Sequence, residues 1–419
     1  MTADDPGTSV TDDVYVIVGA GLAGATAART LREQGFGGRV VLIGDEGDPP
    51  YERPPLSKDY LMGRTDREAT FVRPRHWYAD HGIELRTGVA VAGIEPAAHA
   101  VSLADGSRMN YTKLLLTTGS APRRLDLPGG ELGRVHYLRR IGDSDRIRTM
   151  FRTASRVAIV GGGWIGLETA AAARAAGLEV TVLEPGELPL LRVLGPRVAR
   201  IFADLHRAHG VDLRCGARVT EIAGDDDHAT GVRLSDGSHL AADAIIIGIG
   251  VTPNTRLAEQ AGLKIDNGIW VDEHLRTSDE NVYAAGDVAN AYHPVLGRQL
   301  RVEHWANALH QAPVAARAML GQDAAYDRLP YFFTDQYELG MEYTGHAEPG
   351  GYDRVVVRGD VDDGQFVAFW LRQGRVLAGM NVNTWDVADS IAALIRSGES
   401  VDVGRLTDPR IPLAALAQG

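Results

Sequence analysis

A short apolar strand that runs into a Gly-rich turn and then into an Ala-rich helix occurs twice in this chain, and few folds can absorb that unit twice. In the later copy the apolar run 157–160 leads into Gly161, Gly163 and Gly166 and a helix rich in alanine over 170–176. In the earlier copy the run 14–18 leads into Gly19, Gly21, Ala23 and Gly24, and then into apolar positions Leu22, Ala25, Ala28 and Leu31 at helical spacing. The first glycine of such a turn permits the bend, the second lets backbone approach a pyrophosphate, and the third packs helix against strand. The helix N-terminus then offers free N–H groups and positive partial charge to the phosphates. One Gly-rich turn is weak evidence. Two, each followed by a strand with an acid at its end (Asp45 after 39–44, Glu184 closing 180–184), imply two bound dinucleotides.

The repeat extends further, because 244–254 corresponds to 114–122, and residues 277–287 read as a strand ending in Gly286-Asp287 before a helix near 307–320. Beyond Pro330 the texture becomes aromatic and alternating, with a helix near 387–397. The fold class is α/β: two Rossmann-like dinucleotide-binding domains plus a small α+β C-terminal domain. The expected division is a disordered tail over 1–12, a first nucleotide domain in two parts (13–121 and 250–328), a second nucleotide domain (122–249) and the C-terminal domain (329–419).

A net charge of -12 argues against nucleic acid as a partner, which is held through clustered Lys and Arg. No apolar run is long enough to span a bilayer and the acidic start lacks signal-peptide character, so no membrane partner is expected and the chain reads as cytoplasmic. Cys215 is the only cysteine, which rules out an internal disulfide, a CxxC redox pair and a thiolate metal site; no metal is expected. Redox chemistry must come from a bound cofactor.

The ordered set Gly19 to Gly24, Arg53-Pro54-Pro55-Leu56-Ser57-Lys58, Thr118-Gly119, Gly161 to Glu168 and Ala284 to Asp287 resembles the NADH-dependent ferredoxin reductases of bacterial oxygenase systems, over essentially the whole chain after residue 13. That resemblance implies FAD in the first nucleotide half and NADH in the second. Gly19, Gly21, Ala23 and Gly24 would cradle the FAD pyrophosphate, with Asp45 at the adenosine ribose and Val91 at the adenine. Arg53 and Lys58 would lie along the flavin, Thr118, Gly119 and Arg139 near it, Gly286 and Asp287 at the ribityl and pyrophosphate portion, and His304 and Trp305 at the isoalloxazine. On the NADH side it implies Gly161, Gly163, Ile165, Gly166 and Gly250, with Glu184 accepting from the ribose 2′-OH and repelling a 2′-phosphate.

The chemistry implied is hydride transfer from nicotinamide to flavin, then single electrons to a small iron–sulfur ferredoxin, of 2Fe-2S type, that feeds a cytochrome P450 or Rieske dioxygenase. Lys58, its partner Glu168 and Trp164 are the residues expected at the reacting centre, in a monomer or weak dimer. Arg64, Arg67, Arg73, Arg75, Arg298 and Arg301 are candidates for a basic docking rim. Two alternatives stay open. One is a cysteine-free NADH oxidase; the other is a redox-sensing signalling flavoprotein similar to apoptosis-inducing factor.

Overall fold

The computed structural model describes residues 12–416 and divides into two compact units. The first comprises the chain up to Glu52, Arg67–Ala121 and Thr252–Arg328; the second comprises Arg53–Asp66, Pro122–Val251 and the chain from Leu329 onward. The expected tail, 1–12, lies outside the described residues except for Asp12.

In the first unit the strand Val14–Val18 is followed by the helix Leu22–Glu33 and the strand Arg39–Ile43. A five-stranded parallel sheet forms in the order Val282–Ala284, Lys113–Leu116, Val14–Val18, Arg39–Ile43, Ile83–Arg86. Its strands are buried on both faces, which is why they read as unbroken apolar runs rather than alternating ones. Leu22, Ala25, Ala28 and Leu31 all turn inward, as their spacing requires. The helix stops where Gln34 gives way to Gly35 at a φ of 79°.

The second unit repeats the plan, with parallel order Asp212–Cys215, Glu179–Glu184, Arg156–Val160, Ala244–Ile247, Val135–Tyr137. Each unit also carries a three-stranded antiparallel piece, Val91–Glu95 with Ala100–Leu103 and Arg108–Asn110 in the first, Val219–Gly224 with Ala229–Leu234 and His239–Ala241 in the second. The duplication therefore runs well past the Gly-rich turns.

The segment 329–419 supplies an antiparallel sheet in the order Tyr331–Gln336, Leu339–Gly345, Arg375–Val382, Gln365–Arg372, Arg354–Asp360, with the helix Ala388–Ser397 packed on it. Trp370 is fully buried and donates its indole N–H to the carbonyl of Leu194, at 3.2 Å. This joins the sheet to the helix Leu191–Ala208 beside its break at Gly195. Packing thus gathers this sheet and the second nucleotide fold in one unit.

The Pro-rich loop departs from the expected division. Residues 53–66 pack with the second unit, because Pro54–Ser57 forms a turn of 3₁₀ helix whose Leu56 carbonyl accepts from Ser144 at 2.9 Å and whose Ser57 and Lys58 reach Glu168. Proximity in sequence to the first nucleotide fold does not set where a loop's polar groups find partners.

The two turns are held by the same close approach. A Cβ on Gly24 would stand 2.1 Å from the Gly19 carbonyl oxygen, and one on Gly166 would stand 2.0 Å from that of Gly161. Gly24→Ala and Gly166→Ala should therefore each cost about 1–3 kcal/mol or more, since backbone must move to admit the methyl. Gly93→Ala, with nothing within 4 Å of the added carbon, should stay within about 0.5 kcal/mol of wild type. Urea denaturation midpoints of the three variants check the contrast.

Candidate functional site

Within the first unit the fold gathers three Gly-containing turns at the C-terminal ends of adjacent parallel strands, where such sheets bind ligands. Gly19 takes a φ of 117° against the Thr117 carbonyl, and Gly21 is the N-cap of the helix Leu22–Glu33 with nothing within 4 Å of where its Cβ would be. Ala23 is buried, and a Cβ on Gly286 would lie 3.4 Å from its methyl, which brings the Gly286-Asp287 pair onto the first turn of that helix. Gly286 (φ 81°) donates its N–H to Gln311 at 2.8 Å, and the Asp287 carboxylate accepts from Ser120 at 2.8 Å.

Thr118 and Gly119 are pinned by Asn254. Thr118 Oγ1 donates to the Asn254 carbonyl at 2.9 Å, Asn254 Nδ2 donates back to the Thr118 carbonyl at 2.7 Å, and the Asn254 N–H donates to the Gly119 carbonyl at 2.9 Å. His304 caps the helix Trp305–Met319 and Trp305 begins it. Burial pushes the Glu52 carboxyl above its ordinary range, an effect that its hydrogen bond with Trp305 opposes. Val91 opens the antiparallel piece, half-buried and paired with Leu103. Ser120, Gln311 and Glu52 were not picked out by sequence reasoning; Ser120 and Glu52 do sit next to residues that were.

In the second unit Gly161 takes a φ of 108° against the Gly248 carbonyl, and Gly163 is the N-cap of the helix Trp164–Ala175, its nearest Cβ contact 3.8 Å away. Ile165 is exposed beside it, and Gly250 (φ 97°) accepts at its carbonyl from the Arg123 N–H at 2.9 Å. Glu184 is held by backbone alone: Oε2 accepts from Gly162 N–H at 2.8 Å and Oε1 from Gly186 N–H at 2.7 Å. The carboxylate is thus fixed beside the Gly-rich turn.

Register shows where the two copies differ. Val160 pairs with Leu183, so Glu184 follows directly, whereas Val18 pairs with Ile43 and the next residue is Gly44. Asp45 stands exposed one position further on, since a side chain at Gly44 would meet the Ala20 methyl at 2.5 Å. The acids are analogous in sequence but one residue out of step.

The Pro-rich loop, the second nucleotide fold and the C-terminal sheet build a buried ionic centre. Lys58 Nζ lies 2.8 Å from Glu168 Oε1, with Glu168 only 5% exposed. Ser57 donates to Oε2, Thr334 donates to Oε1 at 2.6 Å, and Lys58 also lies 5.5 Å above the Phe333 ring. Three donors on one carboxylate is the surrounding that an ionised acid needs once it leaves water. Partial desolvation pushes the neighbouring Asp335 carboxyl up, against the pull of Lys58. Arg53 and Arg139 also meet, the Arg53 guanidinium donating to the Arg139 carbonyl. Trp164 packs with Phe202 and Phe332 at centroid distances of 5.4 and 5.2 Å.

The candidate basic rim fares differently. Arg67 pairs with Asp48 at 2.7 Å, Arg64 with Asp59 at 3.6 Å, and Arg301, 9% exposed, with Glu303. Arg73 lies over the Trp77 ring, and Arg75 donates to Thr87 and to the Gly47 carbonyl. Arg64, Arg73 and Arg75 are exposed and Arg67 half-buried, and each meets a partner within its own unit. Among the described residues no cluster of side chains could hold a metal ion, and no helix is long and apolar enough to cross a membrane.

Two Rossmann-type folds with duplicate Gly-rich cradles, and a C-terminal sheet on the second, define a two-dinucleotide oxidoreductase architecture. The chain belongs to the pyridine nucleotide-disulphide oxidoreductase family, whose profile matches residues 13–312, and a reductase C-terminal profile matches residues 331–417. It is 43% identical over 408 residues (96% of this chain, 98% of the relative) to the 5,5'-dehydrodivanillate O-demethylase ferredoxin reductase subunit of Sphingobium sp. strain SYK-6. It is 39% identical over 407 residues (96% of each) to putidaredoxin reductase of Pseudomonas putida. The reductase in the crystal structure of the covalent putidaredoxin reductase–putidaredoxin complex superposes with a TM-score of 0.93 at 38% identity, covering 97% of this chain and 99% of that one.

Because Gly21 and Gly163 have ordinary φ values and room where a Cβ would project, with nothing within 4 Å at Gly21 and only the Gly248 oxygen at 3.8 Å at Gly163, alanine there should leave folding intact and fill the cradle instead. Gly21→Ala and Gly163→Ala should each keep the wild-type melting temperature while weakening the dinucleotide of their own unit roughly 5- to 100-fold, the equivalent of about 1–3 kcal/mol of overpacking. Calorimetric titration with each dinucleotide, alongside thermal melts, checks this.

Proposed function

We propose that this protein is an FAD-containing NADH:ferredoxin reductase that passes electrons from NADH to a small iron–sulfur ferredoxin serving an oxygenase. The observation that carries the reading is the pair of open cradles, at Gly21 and Gly163, of which the second alone has a carboxylate fixed flush at its strand end. Bound FAD supplies a two-electron acceptor for hydride and a one-electron donor to an iron–sulfur centre.

The residues then divide the work. N–H groups of the Gly19 to Gly24 turn and the start of the helix Leu22–Glu33 would hold the FAD pyrophosphate, with Asp45 at the ribose, Val91 at the adenine, and Asp287, oriented by Ser120, on the ribityl portion. Thr118, Gly119, Gly286, His304, Trp305, Arg53 and Arg139 would complete that cofactor's surroundings. On the other side the Gly161 to Gly166 turn would hold the NADH pyrophosphate, with Ile165 and Gly250 at its edge. Lys58 would place positive charge where the flavin gains negative charge on reduction, Glu168 keeping that ammonium in place. Trp164, clamped by Phe202 and Phe332, would present its free edge to the nicotinamide.

Dithiol chemistry, part of the family's name, is not open to this chain: the loop carries Ser57 ahead of Lys58, and Cys215 is the only thiol, half-buried and pushed up by burial. The relatives' names point to ferredoxins as electron acceptors, and the same class of acceptor is proposed here. Cytochrome c reduction by NADH should be stimulated many-fold by a 2Fe-2S ferredoxin. Rapid NADH oxidation by oxygen that ferredoxin does not change would instead establish an oxidase, and slow turnover under both conditions would favour a redox sensor.

Glu184 sets the nucleotide preference. With its two oxygens already oriented by Gly162 and Gly186, it can accept from a ribose 2′-OH at little ordering cost and repels a 2′-phosphate. Glu184→Ala should lower the ratio of kcat/KM for NADH over NADPH by roughly 10- to 100-fold, about 1.4–2.8 kcal/mol. An unchanged ratio in steady-state kinetics would remove Glu184 from this role.

A further inference from the structure

Behind the Lys58–Glu168 pair lies a layer of polar side chains to which the proposed reaction gives no task. Three elements build it by their own periodicities. Trp164 and Glu168 are four apart on the helix Trp164–Ala175, Phe202 and His206 are four apart on the helix Leu191–Ala208, and Phe332, Thr334 and Gln336 alternate inward on the strand Tyr331–Gln336. The first member of each set meets in the aromatic cluster of Trp164, Phe202 and Phe332. The remaining members, Glu168, Thr334, Gln336 and His206, form one line of hydrogen bonds, and all are buried.

Chemistry at one end fixes the direction of the whole line. A carboxylate paired with Lys58 only accepts, so the Thr334 hydroxyl donates to Glu168 Oε1 (2.6 Å) and its lone pair is left to accept from Gln336 Nε2 (3.3 Å). That orients the amide with Oε1 toward His206, whose Nε2, 2.8 Å away, must carry the proton. His206 Nδ1 is then an acceptor, facing the Tyr337 hydroxyl at 3.4 Å. Tyr337, at a φ of 56° in the hairpin turn, stacks on His209 at 3.7 Å, and His209 Nε2 meets Glu338 at 2.8 Å. Desolvation keeps His206 neutral, its imidazole lowered to about 4, and the Tyr337 phenol protonated, raised to about 12.

We propose that Thr334, Gln336 and His206 are positioning residues, a one-directional donor chain that holds the Glu168 carboxylate, and through it Lys58, in a single ionised arrangement. A buried carboxylate with one donor fewer takes up a proton more readily, and Lys58 then loses its counter-ion. The other charged groups around the line are Asp59 and Asp335 near Lys58, and His209, Arg174 and Glu338 near Tyr337. None of them hydrogen-bonds to Thr334 or Gln336 in place of the chain.

The spectral arm of the test rests on the proposed function, because it uses flavin as the reporter of Lys58; the magnetic-resonance arm does not. In flavin-loaded wild type, nitrogen-15 spectra should show His206 as the neutral Nε2–H form from about pH 6 to 9, and the flavin's visible spectrum should show no step in that range. Thr334→Val should give a tautomer mixture at His206, a flavin spectrum that steps as pH falls, and flavin reduction by NADH slowed at least about tenfold, the loss of one buried bond to a charged group. Thr334→Ser should restore all three. If the valine variant does not retain flavin, Gln336→Met, which leaves the Thr334 hydroxyl on Glu168 but removes the partner of His206, should give the tautomer mixture at His206 without the spectral step. Wild-type flavin that NADH does not reduce, with His206 still locked, would overturn the function and leave the chain standing. A locked His206 in both cut variants, or no spectral step in Thr334→Val, would overturn the chain.

Discussion

The architecture depends on one backbone contact made twice, the first turn of a helix pressed against the glycine that opens its turn. With 2.1 Å from a Gly24 Cβ position to the Gly19 oxygen and 2.0 Å from Gly166 to Gly161, only hydrogen fits between helix and turn. That closeness brings each helix N-terminus to the end of its strand, with Gly21 facing open space and a Cβ on Gly163 no nearer than 3.8 Å to the Gly248 oxygen. It also fixes how the chain must continue. A strand followed by a helix lying on its sheet has to return in parallel, and the strands Arg39–Ile43 and Glu179–Glu184 do so on the same side of their central strands.

Sequence made this part legible because the signals were local. The strand Val14–Val18, the inward positions of the first helix and the glycines at special φ each follow from residues within a dozen positions. Legibility failed where partners are distant in sequence. Asp45 looked equivalent to Glu184 until strand register put Gly44 in the matching place. Arg67 and Arg301 read as candidates for a docking rim, and their pairing with Asp48 and Glu303 shows only in the fold. The loop 53–66 looked like an appendage of the first nucleotide fold, while Leu56, Ser57 and Lys58 bond into the second unit. The His206 line spans residues 168 to 336 and has no local signature at all.

The Lys58–Glu168 centre could be named from the resemblance alone, but only the packing explains why it can stay charged. An ion pair taken out of water recovers its desolvation cost only when the remaining lone pairs and protons are satisfied. Glu168 meets that condition with Ser57 and Thr334, each from a different element, and Lys58 adds the Phe333 ring. The C-terminal sheet contributes one of those donors and the ring, so it takes part in the ionic centre as well as in the second unit's packing.

The same packing bears on why the loop holds a serine where dithiol chemistry would need a cysteine. A thiol at Ser57 would be a weak donor to Glu168 Oε2, and a thiolate there would add a second anion beside a carboxylate that has one ammonium to share. A hydroxyl gives Glu168 a strong donor and adds no charge. Among the described residues, Lys58 is then the only cation hydrogen-bonded to Glu168. A centre of this kind can hold charge steady but has no group of its own that takes or releases electrons, so its part in a redox reaction is electrostatic.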